Sequence, residues 1–599
     1  MSAANWEPHG LVELASSGLG RERTIRRGEI LFRQGERGDY FYYLKRGRLR
    51  VLRESDDGGI RQVVGEVARG EIVGELAVLG STFRSATVVA VRDCILTEMH
   101  GDVVGALPPE ALMDVMRLLA TRMRAMIERG AVPHAVLPDC IVILPTDETV
   151  PAEAYCQRLI ESIGRCAGEA TLCRGADVPA EFRNLEATSG EAFERLGHWL
   201  EDLEERSGLL ILLADPAPSP WTGCCLLRAD LILLLARADA DPEPGAAERV
   251  IAHLPGADKG ALPRIDLVLL QDSEPFRGTA RWLAPRQVTR HYHVRANSEA
   301  DKDRAGRLLT GRDVGFALGG GGARGFAHLG LLRACEEMGV PVDRLGGTSM
   351  GATVGGLAAM GLGWEEATER LREHFLPKRK LVQYTLPVLS IDTGRKYVDM
   401  LESLFGDVRI EDLPLNYFCV TCNLTRAAVR VHREGPLAQW VGTSMTLPGM
   451  VPPFIDRGEI LVDGGLLNNL PINIVKAEGA GMVVGVDVSP GGGFQLPAGY
   501  TGRPQLWDAV AARAGWRRGS GGEPLRFPSI AATLFRAASL SSVANKAALA
   551  AEADLYIKMP VEMIPILAFE QLDKMVSIGY MTGMSELAPA LEWSRTGRK

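Results

Sequence analysis

Ser349 sits in Gly347-Thr348-Ser349-Met350-Gly351, and that G-x-S-x-G spacing is what a nucleophilic serine on a sharp strand-to-helix turn requires. Side chains at the two glycine positions would collide with neighbouring backbone, and the small residues of 352–360 can form the helix that follows. A serine hydroxyl is a poor nucleophile until a base takes its proton. The candidate base is Asp463 in Asp463-Gly464-Gly465, after the strand-like run 459–462 and before Asn468-Asn469-Leu470-Pro471. An aspartate in such a turn can also serve the turn alone. A third element is the glycine-rich run 319–325, between the apolar stretch 314–318 and a helical pattern carrying Leu329, Leu332 and Cys335. Unpaired amides at such a loop attract an anion, either a phosphate or the oxyanion of a tetrahedral intermediate. Gly320, Gly322 and Gly325 satisfy G-x-G-x-x-G, with Asp343 where a dinucleotide fold places its ribose-binding acid. The serine elbow, directly after the second short strand at a place where a dinucleotide fold would simply continue, favours acyl chemistry.

Taken in this order, Gly320-Gly321-Gly322-Ala323-Arg324-Gly325, Gly347-Thr348-Ser349-Met350-Gly351 and Asp463-Gly464-Gly465 resemble the patatin-like phospholipases. The resemblance implies a Ser–Asp dyad, with Ser349 attacking an ester carbonyl and Asp463 acting as base without a histidine. It also implies an oxyanion hole in the backbone of Gly320, Gly321 and Gly322, supported by Arg324, Gly325, Gly347, Gly351, Gly464 and Gly465. Arg324 is similar to the basic residue the family keeps in this loop, and 444–454 to the stretch preceding its aspartate strand. Of the ten histidines only His328 falls inside a motif, where packing or orientation is favoured over a third triad member. Gly442-Thr443-Ser444-Met445-Thr446 repeats G-T-S-M without the second glycine, so Ser444 reads as structural.

These motifs occupy the last part of a 599-residue chain, long enough for about four domains of ordinary size. A hydrophobic content of 46% with 24% charged residues describes a globular protein, and a net charge of -8 offers no nucleic-acid footprint. The first residues lack a basic segment followed by an apolar one, which argues against export. No apolar run approaches the roughly 18 residues of a spanning helix. The expected location is cytoplasmic, with peripheral membrane contact as a candidate. Ten dispersed cysteines do not form a secreted disulfide framework, and Cys419-Val420-Thr421-Cys422 has no partner pair, so packing is preferred to metal binding there. No metal is expected.

Residues 10–130 read as short strands separated by glycine turns, with Gly74-Glu75-Leu76-Ala77 followed by Arg84-Ser85-Ala86-Thr87. A carboxylate can accept a ribose hydroxyl and an arginine can clamp a phosphate. This order resembles the cassette of cyclic-nucleotide-binding domains. On that resemblance Glu75 holds the ribose hydroxyl and Arg84 the cyclic phosphate, with Gly74 and Ser85 completing the site and cAMP or cGMP as the regulatory ligand. A roll kept only for structure or protein contact is the other reading. A helix from Pro108 to Gly130 leaves the roll, and 21–53 carries eleven Lys or Arg against four acids. That basic face is either a membrane contact or, more commonly, a solvated strand face.

Residues 135–300 contain continuous apolar runs at 141–144, 209–213, 231–235 and 265–270, the pattern of buried parallel strands. A P-loop would need glycines and a lysine after the first strand, where the chain has Pro145-Thr146-Asp147-Glu148. The expectation is a degenerate Rossmann-like α/β domain that binds no phosphate there.

The order of a cyclic-nucleotide roll, this degenerate domain and a patatin-like α/β catalytic domain over 312–590 resembles the neuropathy target esterase family. The resemblance implies lysophospholipase or phospholipase B-type hydrolysis of glycerophospholipid or lysophospholipid, with no cofactor required for catalysis. The chain differs in having one roll where larger relatives have more, and in showing no N-terminal membrane anchor. In the catalytic domain 364–374 reads as an amphipathic helix ending in the basic tip 377–380, and 491–527 as a mobile insertion. The alternative to an esterase is a cyclic-nucleotide-responsive scaffold whose hydrolase domain is vestigial.

Overall fold

Three β-sheet systems carry the chain, each explained by the apolar pattern of its strands. The computed structural model describes residues 20–54, 60–80, 83–106, 137–182, 190–272, 274–376, 390–489 and 540–597, with single positions between. Expectations on the linker 131–134, the basic tip 377–380 and the insertion 491–527 lie outside these residues, as does the helix over 108–130 apart from Met113 and Met116. The described chain divides into one unit of residues 1–313, 476–481 and 592–599, and a second of 314–475 and 482–591.

The first unit opens with two four-stranded antiparallel sheets. In one, Tyr40–Arg46 pairs with Cys94–His100, and in the other Leu49–Glu54 pairs with Ile60–Val67 and Thr87–Ala90. Inward side chains such as Tyr42, Leu44, Leu49, Val88 and Leu96 fill the roll between them. Next comes a six-stranded, wholly parallel sheet in the order Thr171–Arg174, Leu210–Leu213, Cys140–Pro145, Leu231–Arg237, Arg264–Gln271, Arg290–Arg295. Its central strands are buried on both faces, which is why they read as unbroken apolar runs. The outer strands Thr171–Arg174 and Arg290–Arg295 are polar enough at their ends to have escaped that pattern.

The basic face at 21–53 divides: Arg21, Arg26, Arg33, Arg37 and Arg53 are exposed, as a solvated strand face would have them, whereas Arg27, Arg46, Arg48 and Arg50 turn to the parallel-sheet domain. Arg27 Nη1 donates to Leu226 O (2.8 Å), Arg46 pairs with Glu201 (2.8 Å), and Arg50 Nη1 donates to Gly260 O (2.8 Å) and Leu262 O (2.7 Å). Arg48 Nε meets Asp230 at 3.1 Å, and Arg92 joins from the next turn through Glu204 at 2.7 Å. The roll thus presents these five arginines to the parallel-sheet domain, a pairing that a local count of charges cannot register.

In the second unit the sheet order is Phe454–Asp456, Glu459–Asp463, Asn416–Asn423, Arg344–Gly347, Val314–Leu318, Met482–Asp487, Leu555–Lys558, with Ala428–His432 paired on Asn416–Asn423. The five central and far-edge strands from Asn416–Asn423 onward are parallel, whereas Glu459–Asp463 runs antiparallel. Helices Ala327–Met338 and Leu572–Glu586 pack closely against one another. Among the described residues no helix is long and apolar enough to cross a membrane.

Candidate active site

Strand register brings together residues more than a hundred positions apart. Gly347 lies opposite both Leu318 and Cys419, so the glycine loop after Leu318 and the turn after Gly347 leave the sheet at one level. Thr421, two residues beyond Cys419, lies opposite Asp463. The antiparallel strand therefore delivers Asp463 to the level of Ser349, itself two residues beyond Gly347.

Ser349 adopts φ 56° and ψ -124°, a conformation L-residues avoid, immediately before helix Met350–Ala359. Its glycine neighbours permit this. A Cβ on Gly347 would lie 2.5 Å from Gly351 O, and one on Gly351 would run into the backbone of Leu318. Ser349 is partly open while the residues on either side are buried. Its hydroxyl hydrogen-bonds the Asp463 carboxyl, which also accepts from Gly465 N–H at 2.7 Å. Burial raises the Asp463 carboxyl to about 7, with those two hydrogen bonds pulling the other way. A carboxylate poised there can exchange protons near neutral pH.

The glycine loop crosses close over the serine, since a Cβ on Gly320 would be 3.0 Å from Ser349 Cβ. Gly320 differs from the expectation that it donates to an oxyanion. Its N–H already donates to Asn469 O at 3.1 Å, while Asn469 Nδ2 donates back to Gly320 O at 2.9 Å. Asn469 clamps the loop in both directions, and the following residues Gly321 and Gly322 turn at its apex, Gly322 with φ 55°. Arg324 Nε donates to Ile564 O at 2.6 Å and Nη2 to Glu562 O at 3.3 Å, so this arginine ties down the segment 562–564.

Two contributions lay hidden in the sequence. Ser444 accepts a hydrogen bond from Ser349 N–H at 2.9 Å and donates to Val420 O at 2.6 Å, holding the strained turn to the neighbouring strand. Its structural role is thus a positioning one, and only its place in 444–454 hinted at it. Asn469, six residues after Asp463, carried no local signal beyond following Asp-Gly-Gly. His328 donates from Nε2 to Gly319 O at 2.8 Å, and its Nδ1 has no partner. Burial holds it neutral, down to about 4, so it orients the loop and is committed away from the serine.

In the roll, Gly74, with φ 87°, precedes the short helix that begins at Glu75. Arg84 donates to Gly74 O at 2.8 Å and Tyr40 O at 2.7 Å, lies 4.0 Å over the Phe32 ring and leaves Nε without a partner. Burial lowers its pKa. Glu75 is also buried, whereas Ser85 is exposed. In the parallel-sheet domain, a cavity of about 660 Å³ opens beyond the carboxyl ends of the strands. Asp147, Glu148, Glu153 and Asp215 line it, and its arginine, Arg174, is held by Glu153 and Asp177. That lining repels phosphate.

Residues 316–476 match the patatin-like phospholipase family, 139–311 the neuropathy target esterase P-loop-like domain and 22–107 the cyclic nucleotide-binding domain. The chain therefore carries a patatin-like phospholipase domain behind a cyclic-nucleotide-binding β-roll, the class its sheet order and serine turn define. Its particular combination is neuropathy target esterase-like. It is 29% identical to human patatin-like phospholipase domain-containing protein 6 over 96% of this chain and 44% of that protein. It is 29% identical to Drosophila melanogaster neuropathy target esterase sws (95% and 43%), and 30% identical to an Emericella nidulans lysophospholipase (94% and 41%). The chain spans less than half the length of these relatives.

Proposed function

We propose that the protein hydrolyses carboxylic esters of glycerophospholipids or lysophospholipids through a Ser349–Asp463 dyad. The observation that carries this reading is the strained Ser349 whose hydroxyl bonds a buried carboxyl held at about 7. Ser349 Oγ attacks the ester carbonyl as its proton passes to Asp463. The Gly321 and Gly322 amides receive the oxyanion, while Gly320 sets the loop through Asn469. When the tetrahedral intermediate collapses, the ester C–O bond breaks and Asp463 returns the proton to the departing alkoxide. Water then adds to the acyl-enzyme, again losing its proton to Asp463, and Ser349 regains it as the fatty acid leaves. Each oxyanion donor is worth roughly 2.7–4 kcal/mol to such a step. The names of the relatives, lysophospholipase and neuropathy target esterase, support this substrate class.

A fluorophosphonate probe is expected to label the intact chain and to leave Ser349→Ala unlabelled. Absence of labelling in the wild type, together with no release of fatty acid from lysophosphatidylcholine, would sink the reading.

The roll is proposed to take a cyclic nucleotide, with the phosphate at Arg84 and the ribose at Glu75 beside Gly74 and Ser85. Support comes from a buried arginine whose three nitrogen positions include one without a partner. Titration with cAMP and with cGMP should raise the melting temperature of the wild type, and Arg84→Ala should abolish that rise. A roll indifferent to both nucleotides at millimolar concentration would be a structural one.

A further inference from the structure

We infer that the loop over residues 559–568, which covers the glycine loop, is the surface by which the catalytic domain seats on a lipid aggregate. The inference rests on the esterase reading for its meaning but on separate residues. The loop follows strand Leu555–Lys558 at the carboxyl edge of the parallel strands, the edge from which the glycine loop and Ser349 also emerge. Ile566 lies against Gly322, and its carbonyl accepts from Ala323 N–H at 2.8 Å. Met563 is 92% exposed and Leu567 65%, extreme values for side chains of that size. Scattered apolar residues at a surface need no explanation, but these two share one loop at the mouth of the site.

The backbone around them decides what they face. The carbonyls of Glu562, Ile564 and Ile566 are turned inward onto Arg324 and Ala323. The N–H groups of Val561, Ile564 and Ala568 close turns on Met559, Val561 and Pro565. With these six backbone groups engaged, the loop would bring fewer unpaired polar groups to an apolar boundary than a fully solvated loop. The loop's acid, Glu562, lies 3.9 Å from Lys558, whose ammonium it shares with Asp487 at 3.1 Å. At the opposite edge of the sheet Ile455 and Ile460 face one another across the hairpin, 67% and 39% exposed, and Leu424, at 47%, bonds Ile460 O through its N–H. That strand pair also extends past the carboxyl end of Arg344–Gly347, so apolar side chains stand on both sides of the serine. Phospholipid acyl chains at an interface are the partner of that chemistry.

The test uses the full chain and its Met563→Ser/Leu567→Ser double variant, with flotation on phosphatidylcholine vesicles and turnover of a water-soluble short-chain ester. Flotation is repeated in the Ser349→Ala background, so binding is read without hydrolysis. The expected result is at least a tenfold loss of vesicle binding with soluble-ester turnover within twofold of wild type. Unchanged flotation overturns the inference, and so does an equal loss of soluble-ester turnover, which would assign the loop to bracing the glycine loop. If the wild type floats but cleaves no ester, it is the esterase reading that fails.

Discussion

Asp463→Asn should lose roughly 10²- to 10⁴-fold in ester turnover, the range that a positioned general base supplies, and yet melt at a higher temperature than the wild type above neutral pH. The two effects share one cause. Burial raises the Asp463 carboxyl from an ordinary 3.8 to about 7. Between those values the folded state holds a proton that the unfolded state has released. Stability therefore falls as pH rises through that window, and the cost is fully present above about 7. The amide carries no charge to desolvate and can still accept from Gly465 N–H through Oδ1. The gain should be of order 1–4 kcal/mol at about pH 8 and vanish at about pH 3, where the native carboxyl is neutral in both states. Thermal melts at the two pH values check this, as does the wild-type rate profile, whose kcat/KM should rise tenfold per pH unit to a plateau near 7. A variant that keeps half of the wild-type turnover would rule out Asp463 as the base, whatever its stability.

Asp230→Ala should cost the first unit about 3–5 kcal/mol, because removing one member of a buried ion cluster strands the others. Asp230 has a fully buried side chain, and its Oδ1 lies 3.1 Å from Arg48 Nε and 3.2 Å from Arg92 Nε. Its Oδ2 accepts from the N–H groups of Asp139 (2.9 Å) and Cys140 (3.1 Å) at the start of the first parallel strand. One carboxylate thus joins two roll arginines to the sheet of the neighbouring domain. Without it both guanidinium groups stay buried, with Glu66 beside Arg48, and Glu204 and the more distant Asp139 (3.9 Å) beside Arg92, as remaining acidic partners. Denaturant melts of wild type, Asp230→Ala and Asp230→Ala/Arg48→Met measure the effect. The second substitution should recover part of the loss by removing a stranded charge. A loss below about 1 kcal/mol in the single variant would mean that water or rearranged acids replace the cluster.

Local chemistry made the serine turn, the glycine loop and the aspartate turn legible in the sequence, because each needs small residues at fixed spacing around one reactive group. Apolar runs likewise exposed the central parallel strands, since a strand covered on both faces has no polar side to interrupt it. The paired order Gly74-Glu75 and Arg84 was visible for the same reason, a short cassette whose members lie close in the chain.

What tertiary structure decided depends on partners far away in sequence. Strand register, not spacing, sets Asp463 beside Ser349 through Cys419 and Thr421. Asn469 takes up the Gly320 amide and passes the proposed oxyanion role to Gly321 and Gly322, although the three glycines are indistinguishable as letters. Ser444 looks like a failed copy of the nucleophile motif, yet its hydroxyl holds the amide of Ser349, the proposed nucleophile. Arg27, Arg46, Arg48 and Arg50 belong to a basic run in one dimension and to an interior contact in three, because a window of sequence counts charges and only folding chooses which groups meet them.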